Sequence, residues 1–114
     1  MIFVTGPLYA GKRAYIQNAL GLSEEALARC AVWDVQALVS EERPETLAER
    51  LSTREIVIAT EIGGGVVPMD AAQRAQREAA GRLACLLAAR ADTVIRVCCG
   101  IPQLLKGEWP CRSC

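Results

Sequence analysis

The sequence opens with an apolar run that leads into a turn bounded by two glycines, Met1-Ile-Phe-Val-Thr-Gly-Pro-Leu-Tyr-Ala-Gly-Lys-Arg13. Residues 6–12 have the spacing G-x-x-x-x-G-K, which in a phosphate-binding loop joins a strand to a helix. Glycines let successive backbone N–H groups point at one anion, and the lysine reaches the outer phosphates. We therefore predict that the nucleotide-binding residues include Gly6, Pro7, Leu8, Tyr9, Ala10, Gly11, Lys12 and Arg13. The alternative is a strand-to-helix turn that binds no ligand.

The residue after Lys12 departs from the usual loop. That position normally carries Ser or Thr, whose hydroxyl ligates Mg²⁺, and here it is Arg13. A guanidinium can contact phosphate but cannot bind a cation. Another candidate ligand is Asp34, an acid in the apolar run 31–35. We expect Asp34 to act with Lys12 in catalysis and to hold Mg²⁺ through water, and the alternative is a helix cap or a surface acid.

A third candidate lies where the apolar run 56–60 ends. Glu61 follows this run, and three glycines at 63–65 and Pro68 come shortly after it. Open α/β sheets bind ligands at the carboxyl ends of their strands. We therefore expect Glu61 to belong to the nucleotide site, although a plain connector would have a similar composition.

The remaining pattern predicts the fold. Four short apolar runs, at residues 2–5, 31–35, 56–60 and 93–98, are typical of strands that are covered on both faces. We expect helices between them over 11–20, after Ser23, from Pro44 to Leu51, and from a capping box of Asp70 and Gln73 onward. This alternation predicts an α/β, three-layer domain like the P-loop NTPases, with a mostly parallel sheet of about four or five strands.

Composition excludes several classes of function. The chain has 114 residues with 13 basic and 13 acidic side chains, so no net charge attracts nucleic acid or an anionic membrane. We find no secretion signal and no apolar stretch that could span a bilayer, and we expect a cytoplasmic protein. One domain is expected over residues 1–107, with a C-terminal tail over 108–114 that contains a C-x-x-C motif.

Histidine is absent, and cysteine is frequent. The lack of histidine removes the side chain that titrates nearest neutral pH and the commonest metal ligand. Four cysteines cluster in the last part of the sequence, and they could bind zinc, take part in redox chemistry, or remain reduced thiols on a tail. These residues are Cys98, Cys99, Cys111 and Cys114.

Several segments together resemble one enzyme family. Residues 56–68, IVIATEIGGGVVP, are similar to the Asn-Glu-Val-Gly-x-Gly-Ile-Val-Pro segment of the adenosylcobinamide kinase / adenosylcobinamide-phosphate guanylyltransferase family. Residues 72–83 resemble its Arg-rich helix, which ends in Ala-Gly-Arg-Leu, and residues 88–94 and 100–107 resemble the approach to its last strand and its tail. With the phosphate loop, the resemblance covers residues 1–20 and about 31–107.

The resemblance implies a role in cobalamin biosynthesis. The family phosphorylates adenosylcobinamide from a nucleoside triphosphate and then transfers GMP through a guanylylated histidine. By resemblance, residues 6–13 would cradle ATP or GTP with Mg²⁺, Asp34 would occupy the acidic metal-side position, and the chain would form homo-oligomers, as a trimer.

Two departures bear on that activity. The segment between the first helix and Asp34 is shorter than the family pattern, and no histidine is present to carry GMP. We therefore expect a kinase-like protein that phosphorylates adenosylcobinamide and has lost the guanylyltransferase half. The alternative is a catalytically inactive nucleotide-binding or structural relative that acts through association.

Overall fold

A computed structural model, which describes residues 1–62 and 70–110, has an α/β fold with a five-stranded sheet. A 3-10 helix over Val35–Ser40 follows the second strand. The strands are β1 (Ile2–Gly6), β2 (Ala31–Val32), β3 (Ile56–Thr60), β4 (Thr93–Cys98) and β5 (Ile101–Lys106). The helices are α1 (Lys12–Leu20), α2 (Glu24–Cys30), α3 (Pro44–Leu51) and α4 (Ala71–Arg90).

The sheet is mostly parallel, as the sequence predicts. Its strand order is β2-β3-β1-β4-β5, with β1 in the centre. The first four strands run parallel, and β5 pairs with β4 in the antiparallel direction. The carboxyl ends of β1, β2, β3 and β4 therefore meet at one edge of the sheet, which is the edge where open α/β sheets bind ligands.

Helices cover both faces of the sheet and form three layers. On one face, α3, α4 and the 3-10 helix pack against a core that includes Phe3, Val57 and Leu87. On the other face, α1 and α2 pack against a core that includes Val4, Ile16 and Leu27. Since side chains alternate between the faces of a strand, the continuous apolar runs of the sequence supply both cores.

Local chemistry fixes the helix ends where the sequence predicts them. The Ser23 hydroxyl caps α2 by accepting a hydrogen bond from the Ala26 backbone N–H. Pro44 is the first residue of α3, and Asp70 with Gln73 forms the expected capping box of α4. Gly21 ends α1 in the left-handed conformation, which a residue without Cβ adopts freely.

The strands differ from the sequence prediction in two places. The run 31–35 predicts a strand throughout, but β2 ends at Val32. Asp34 adopts a left-handed backbone with φ 53°, which turns the chain out of the sheet and into the 3-10 helix. Val35 is fully buried there, so its apolar character reflects the core rather than a strand. The residues alone also did not predict β5, which folds back on β4 through a turn at Cys99 and Gly100, both with positive φ.

Within the described residues, no helix is long and apolar enough to cross a bilayer. The 20-residue helix α4 comes nearest in length, but four arginines interrupt it. The segment over 63–69 and residues 111–114 lie outside the described residues. The expected glycine-rich ligand edge after Ile62 and the expected thiols of Cys111 and Cys114 therefore lie outside them as well.

Candidate functional site

The turn between β1 and α1, which carries the candidate nucleotide-binding residues, changes its backbone hand several times. Three of its residues have positive φ: Gly6 at 155°, Tyr9 at 59° and Gly11 at 90°. Such changes of backbone hand allow neighbouring N–H groups to converge on one point. Leu8 and Tyr9 form the exposed tip of the turn, and Tyr9 is 94% exposed. The turn is thus open to solvent on its outer side.

The loop is held against the sheet at two glycines. A Cβ on Gly6 would lie 2.1 Å from the carbonyl oxygen of Val97 in β4, so only glycine fits at this position. A Cβ on Gly11 would lie 3.2 Å from the Cα of Gly100, whose N–H donates a 2.7 Å hydrogen bond to the Ala10 carbonyl. The turn between β4 and β5 therefore supports the back of the loop.

Lys12 is the most deeply buried charged residue among those described. Its side chain is 8% exposed, and Nζ donates hydrogen bonds to the carbonyl oxygens of Pro7 at 2.7 Å and Gly6 at 3.2 Å. Burial lowers the pKa of Lys12, and the negative charges of Asp34 and Glu61 offset part of that decrease. The ammonium group therefore lies inside the loop, close to both acidic candidates of the site but in an ion pair with neither.

Asp34 lies at the carboxyl edge of the sheet, directly beyond β2 and Trp33. Its Oδ1 accepts a 3.2 Å hydrogen bond from the Thr60 hydroxyl at the end of β3. The backbone N–H of Thr60 also donates a 2.9 Å hydrogen bond to Oε1 of the Gln36 side chain. These contacts tie the turn after β2 to the neighbouring strand, and they leave the Asp34 carboxylate exposed to solvent.

Glu61 is bound by an arginine that the sequence analysis did not identify. Arg96 of β4 donates to the Glu61 carboxylate from Nε at 2.5 Å and from Nη2 at 3.0 Å. These hydrogen bonds are the largest cause of the lowered pKa of Glu61, with further contributions from the positive charges of Arg96 and Lys12. A guanidinium in a strand that is otherwise apolar needs a partner, and this is the sequence signal that could have found it.

Arg13 lies beside the end of β2. Its guanidinium carbon is 4.5 Å from the centre of the Trp33 ring, a cation–π arrangement. Because Trp33 immediately precedes Asp34, this contact places the first turn of α1 next to the acidic side of the site. The structure thus brings Lys12, Arg13, Asp34 and Glu61 together at one edge of the sheet.

A cleft adjoins this edge on the face covered by α4. It has a volume of about 240 Å³ and lies between the ends of β1 and β3 and the middle of α4. Gly81 of α4 leaves open space, since a Cβ there would meet no atom within 4 Å. Polar groups from both walls reach the cleft, and its lining includes Thr5, Gln36, Thr60, Glu61 and Arg77.

The described residues do not form a site that could hold a metal ion through several protein ligands. Within residues 1–62 and 70–110, no group of three or more His, Cys, Asp or Glu side chains could hold a metal ion. Cys30, Cys85, Cys98 and Cys99 are free thiols. A magnesium ion needs only one or two protein carboxylates when phosphate oxygens and water complete its shell, and the exposed carboxylate of Asp34 could be one of them.

One protein family matches the chain. Residues 16–105 match the sequence model of the family described as cobinamide kinase / cobinamide phosphate guanyltransferase. The matched region begins within α1, so the interpretation of residues 6–13 rests on their motif and geometry. No curated protein matches the chain.

Proposed function

The chain belongs to the cobinamide kinase / cobinamide phosphate guanyltransferase family, and we propose that it is a kinase-like member that binds ATP or GTP through residues 6–13. In this proposal the nucleotide phosphorylates the hydroxyl of adenosylcobinamide in cobalamin biosynthesis. The fold would be that of a P-loop NTPase over residues 1–107. The observation that carries the proposal is the buried ammonium of Lys12 inside a loop with alternating backbone hand.

Lys12 supports nucleotide binding through the partners that it has. Its ammonium is bound by the loop's own carbonyl oxygens at Gly6 and Pro7 rather than by a carboxylate. A phosphate oxygen carries negative charge that a carbonyl oxygen lacks, so an ammonium is attracted more strongly to a phosphate than to a carbonyl. If a triphosphate bound in the loop, the Lys12 ammonium would leave these carbonyl oxygens and bind the outer phosphates. No ion pair would have to break for this change.

Phosphoryl transfer consists mostly of positioning and charge neutralisation. In the proposed step, the acceptor hydroxyl approaches from the cleft beside Glu61 and forms a bond to the terminal phosphorus. The bond from that phosphorus to the bridging oxygen breaks, the nucleoside diphosphate leaves, and the hydroxyl proton passes to solvent. Lys12 and the loop amides would stabilise the charge that builds up on the leaving group.

The residues fit Mg²⁺ in part. The carboxylate of Asp34 could hold the ion through water, and the ion would neutralise charge on the phosphate oxygens. The hydroxyl ligand that usually follows the loop lysine is replaced by Arg13, which cannot bind a cation. We therefore assign no reaction step to the metal.

A second candidate function is nucleotide binding without catalysis, in a relative that acts through association with copies of itself. Arg13 at the hydroxyl position favours this candidate, since it removes one ligand of the metal that assists transfer. Guanylyl transfer has no histidine in this chain on which to proceed, so neither candidate includes it.

Thermal unfolding with added nucleotide tests both candidates. At a nucleotide concentration about 100 times the dissociation constant, binding should stabilise the native state by about 2.7 kcal/mol. Lys12→Met, which keeps the length of the side chain, should abolish this shift. Lys106→Met should preserve it, because the Lys106 ammonium binds carbonyl oxygens at the end of α4 and not the loop.

Product analysis then separates the two candidates. Phosphorylated cobinamide formed by the wild-type chain, and not by Lys12→Met, would support the kinase. A nucleotide-dependent shift without product would favour the binding protein. The absence of a shift with either ATP or GTP would contradict both.

A further inference from the structure

Arg13 belongs to the proposed nucleotide loop and adjoins the loop lysine, but the phosphoryl transfer proposed above assigns it no specific task. It is the second residue of α1, at the position where a hydroxyl would ligate Mg²⁺. The only other oxygen ligand argued for the site, the Asp34 carboxylate, already accepts a hydrogen bond from Thr60. This edge therefore offers a divalent cation one carboxylate but not the usual hydroxyl, while it adds a fixed positive charge.

The structure holds that charge in place by stacking. The guanidinium of Arg13 lies 4.5 Å from the centre of the Trp33 ring, and this contact restricts a side chain that would otherwise move freely. A cation–π contact with the ring uses none of the guanidinium's five N–H donors as a hydrogen bond to an oxygen, so these donors remain for an acceptor. Phosphate oxygens match a guanidinium and accept two parallel hydrogen bonds.

The charges around the site also leave the guanidinium of Arg13 available to an anionic ligand. Arg96 is paired with Glu61, and the buried ammonium of Lys12 lies in the field of the Asp34 carboxylate. Within residues 1–62 and 70–110, no carboxylate forms an ion pair with Arg13. An anion bound in the loop would therefore lie near a guanidinium whose charge no carboxylate neutralises. This guanidinium is at the position that normally supplies the hydroxyl ligand of Mg²⁺.

We propose that Arg13, stacked on Trp33, takes the place of the metal in neutralising the bound polyphosphate, so that this chain binds nucleoside triphosphates without Mg²⁺. The inference rests on the proposed function, because it concerns a ligand of the same loop. The inference goes beyond the proposed function because it concerns the form of the ligand. A conventional site would bind the nucleotide as its magnesium complex, whereas this site would bind the nucleotide without the metal.

Isothermal titration with ATP, GTP and inorganic tripolyphosphate, each in excess Mg²⁺ and in EDTA, tests the inference. For the wild-type chain we expect the dissociation constants in the two buffers to agree within about threefold. Arg13→Ser restores the hydroxyl and removes the charge. It should weaken binding in EDTA by about tenfold or more, the loss expected for one charge-assisted pair, and Mg²⁺ should recover most of that loss.

Two further variants define the role of the stacking. Trp33→Leu frees the guanidinium and should weaken binding in EDTA by less than Arg13→Ser does. Arg90→Ser removes an exposed arginine at the other edge of the sheet, where α4 ends, and should leave binding unchanged in both buffers. Circular dichroism and thermal midpoints establish that each variant is folded.

The possible failures are distinct. If the wild-type chain binds nucleotide only when Mg²⁺ is present, the inference is wrong and the proposed function stands. The same conclusion follows if Arg13→Ser binds as well in EDTA as the wild type does. If no nucleotide binds in either buffer, the proposed function fails and the inference fails with it.

Discussion

Arg96 and Glu61 form a two-hydrogen-bond ion pair above the carboxyl end of the central strand. Arg96 lies on β4 opposite Thr5 of β1, and Glu61 follows β3 on the other side of β1. The backbone N–H of Glu61 also donates to the Gly6 carbonyl, at 2.9 Å. The pair therefore connects both neighbours of β1 beside the start of the turn that leads from β1 to α1.

This pair predicts a pH dependence of stability. The pKa of Glu61 is below its ordinary value of 4.5 in the folded chain, chiefly because of the Arg96 hydrogen bonds. A carboxyl with a lowered pKa contributes stability above its unfolded value and loses that contribution as the pH falls through the folded value. Arg96→Gln should therefore destabilise the chain near neutral pH, and the difference from wild type should shrink below about pH 4.

Urea unfolding at neutral and acidic pH measures this difference. Arg90→Gln is a suitable control, because no ion pair of Arg90 occurs in the described part of the chain. A difference between wild type and Arg96→Gln that persists unchanged at low pH would show that packing of the arginine, rather than its pair with Glu61, carries the effect.

The sequence predicts local features of the fold, but it does not predict the contact between Arg96 and Glu61. Features that depend on a few neighbouring residues were predicted and are confirmed, such as the Ser23 cap and the capping box of Asp70 with Gln73. The α/β class and the mostly parallel sheet are confirmed too, because continuous apolar runs between helices are a strong signal. Arg96 and Glu61 are far apart in the sequence, and nothing local specifies that they meet.

The same reasoning explains the errors at the strands. Trp33, Asp34 and Val35 continue an apolar run, but the left-handed backbone of Asp34 ends the strand before them. An apolar pattern indicates only that residues are buried. Over three residues, the sequence of a buried 3-10 helix cannot be distinguished from that of a buried strand. Strand β5 is mostly exposed. Its sequence therefore lacks the continuous apolar run that identifies a buried strand.

A pair of glycine substitutions tests how the loop is held. A methyl group at Gly6 would lie 2.1 Å from a backbone carbonyl, whereas one at Gly81 would meet no atom within 4 Å. Gly6→Ala should therefore destabilise the chain by about 1–3 kcal/mol, as overpacking against rigid backbone does. Gly81→Ala, inside α4, should stabilise it by about 0.5–1 kcal/mol, since alanine favours a helix. Chemical denaturation measures both, and equal effects of the two changes would contradict the close approach.

The tip of the loop carries a strained residue. Tyr9 has φ 59°, a left-handed conformation that a bulky side chain adopts at a cost of about 1 kcal/mol. Its side chain is 94% exposed, so little packing is lost if it is removed. Tyr9→Gly should therefore raise the thermal midpoint slightly, or at least leave it unchanged. Leu8→Gly, at an exposed neighbour without positive φ, should lower it, and a decrease for both variants would show that Tyr9 is not strained.

The start of α4 depends on its cap more than on packing. All residues from Ala71 to Glu78 are exposed, and none of them belongs to either core that the described residues form. The Asp70 carboxylate accepts a 2.8 Å hydrogen bond from the Gln73 N–H, and the Gln73 side chain accepts one in return from Asp70 N–H. Removal of the cap, worth about 1 kcal/mol, should therefore fray the first two turns locally rather than unfold the domain.

Asp70→Ala and Ser23→Ala provide a matched comparison of the two capped helices. Ser23 caps α2, whose Leu27 is buried in the core, so loss of that cap should lower the global free energy of unfolding by about 1 kcal/mol. Asp70→Ala should instead speed amide hydrogen exchange over residues 74–78 and change the global value little. Exchange that remains slow there would mean that something other than the cap, such as contact with another copy of the chain, holds the helix start in place.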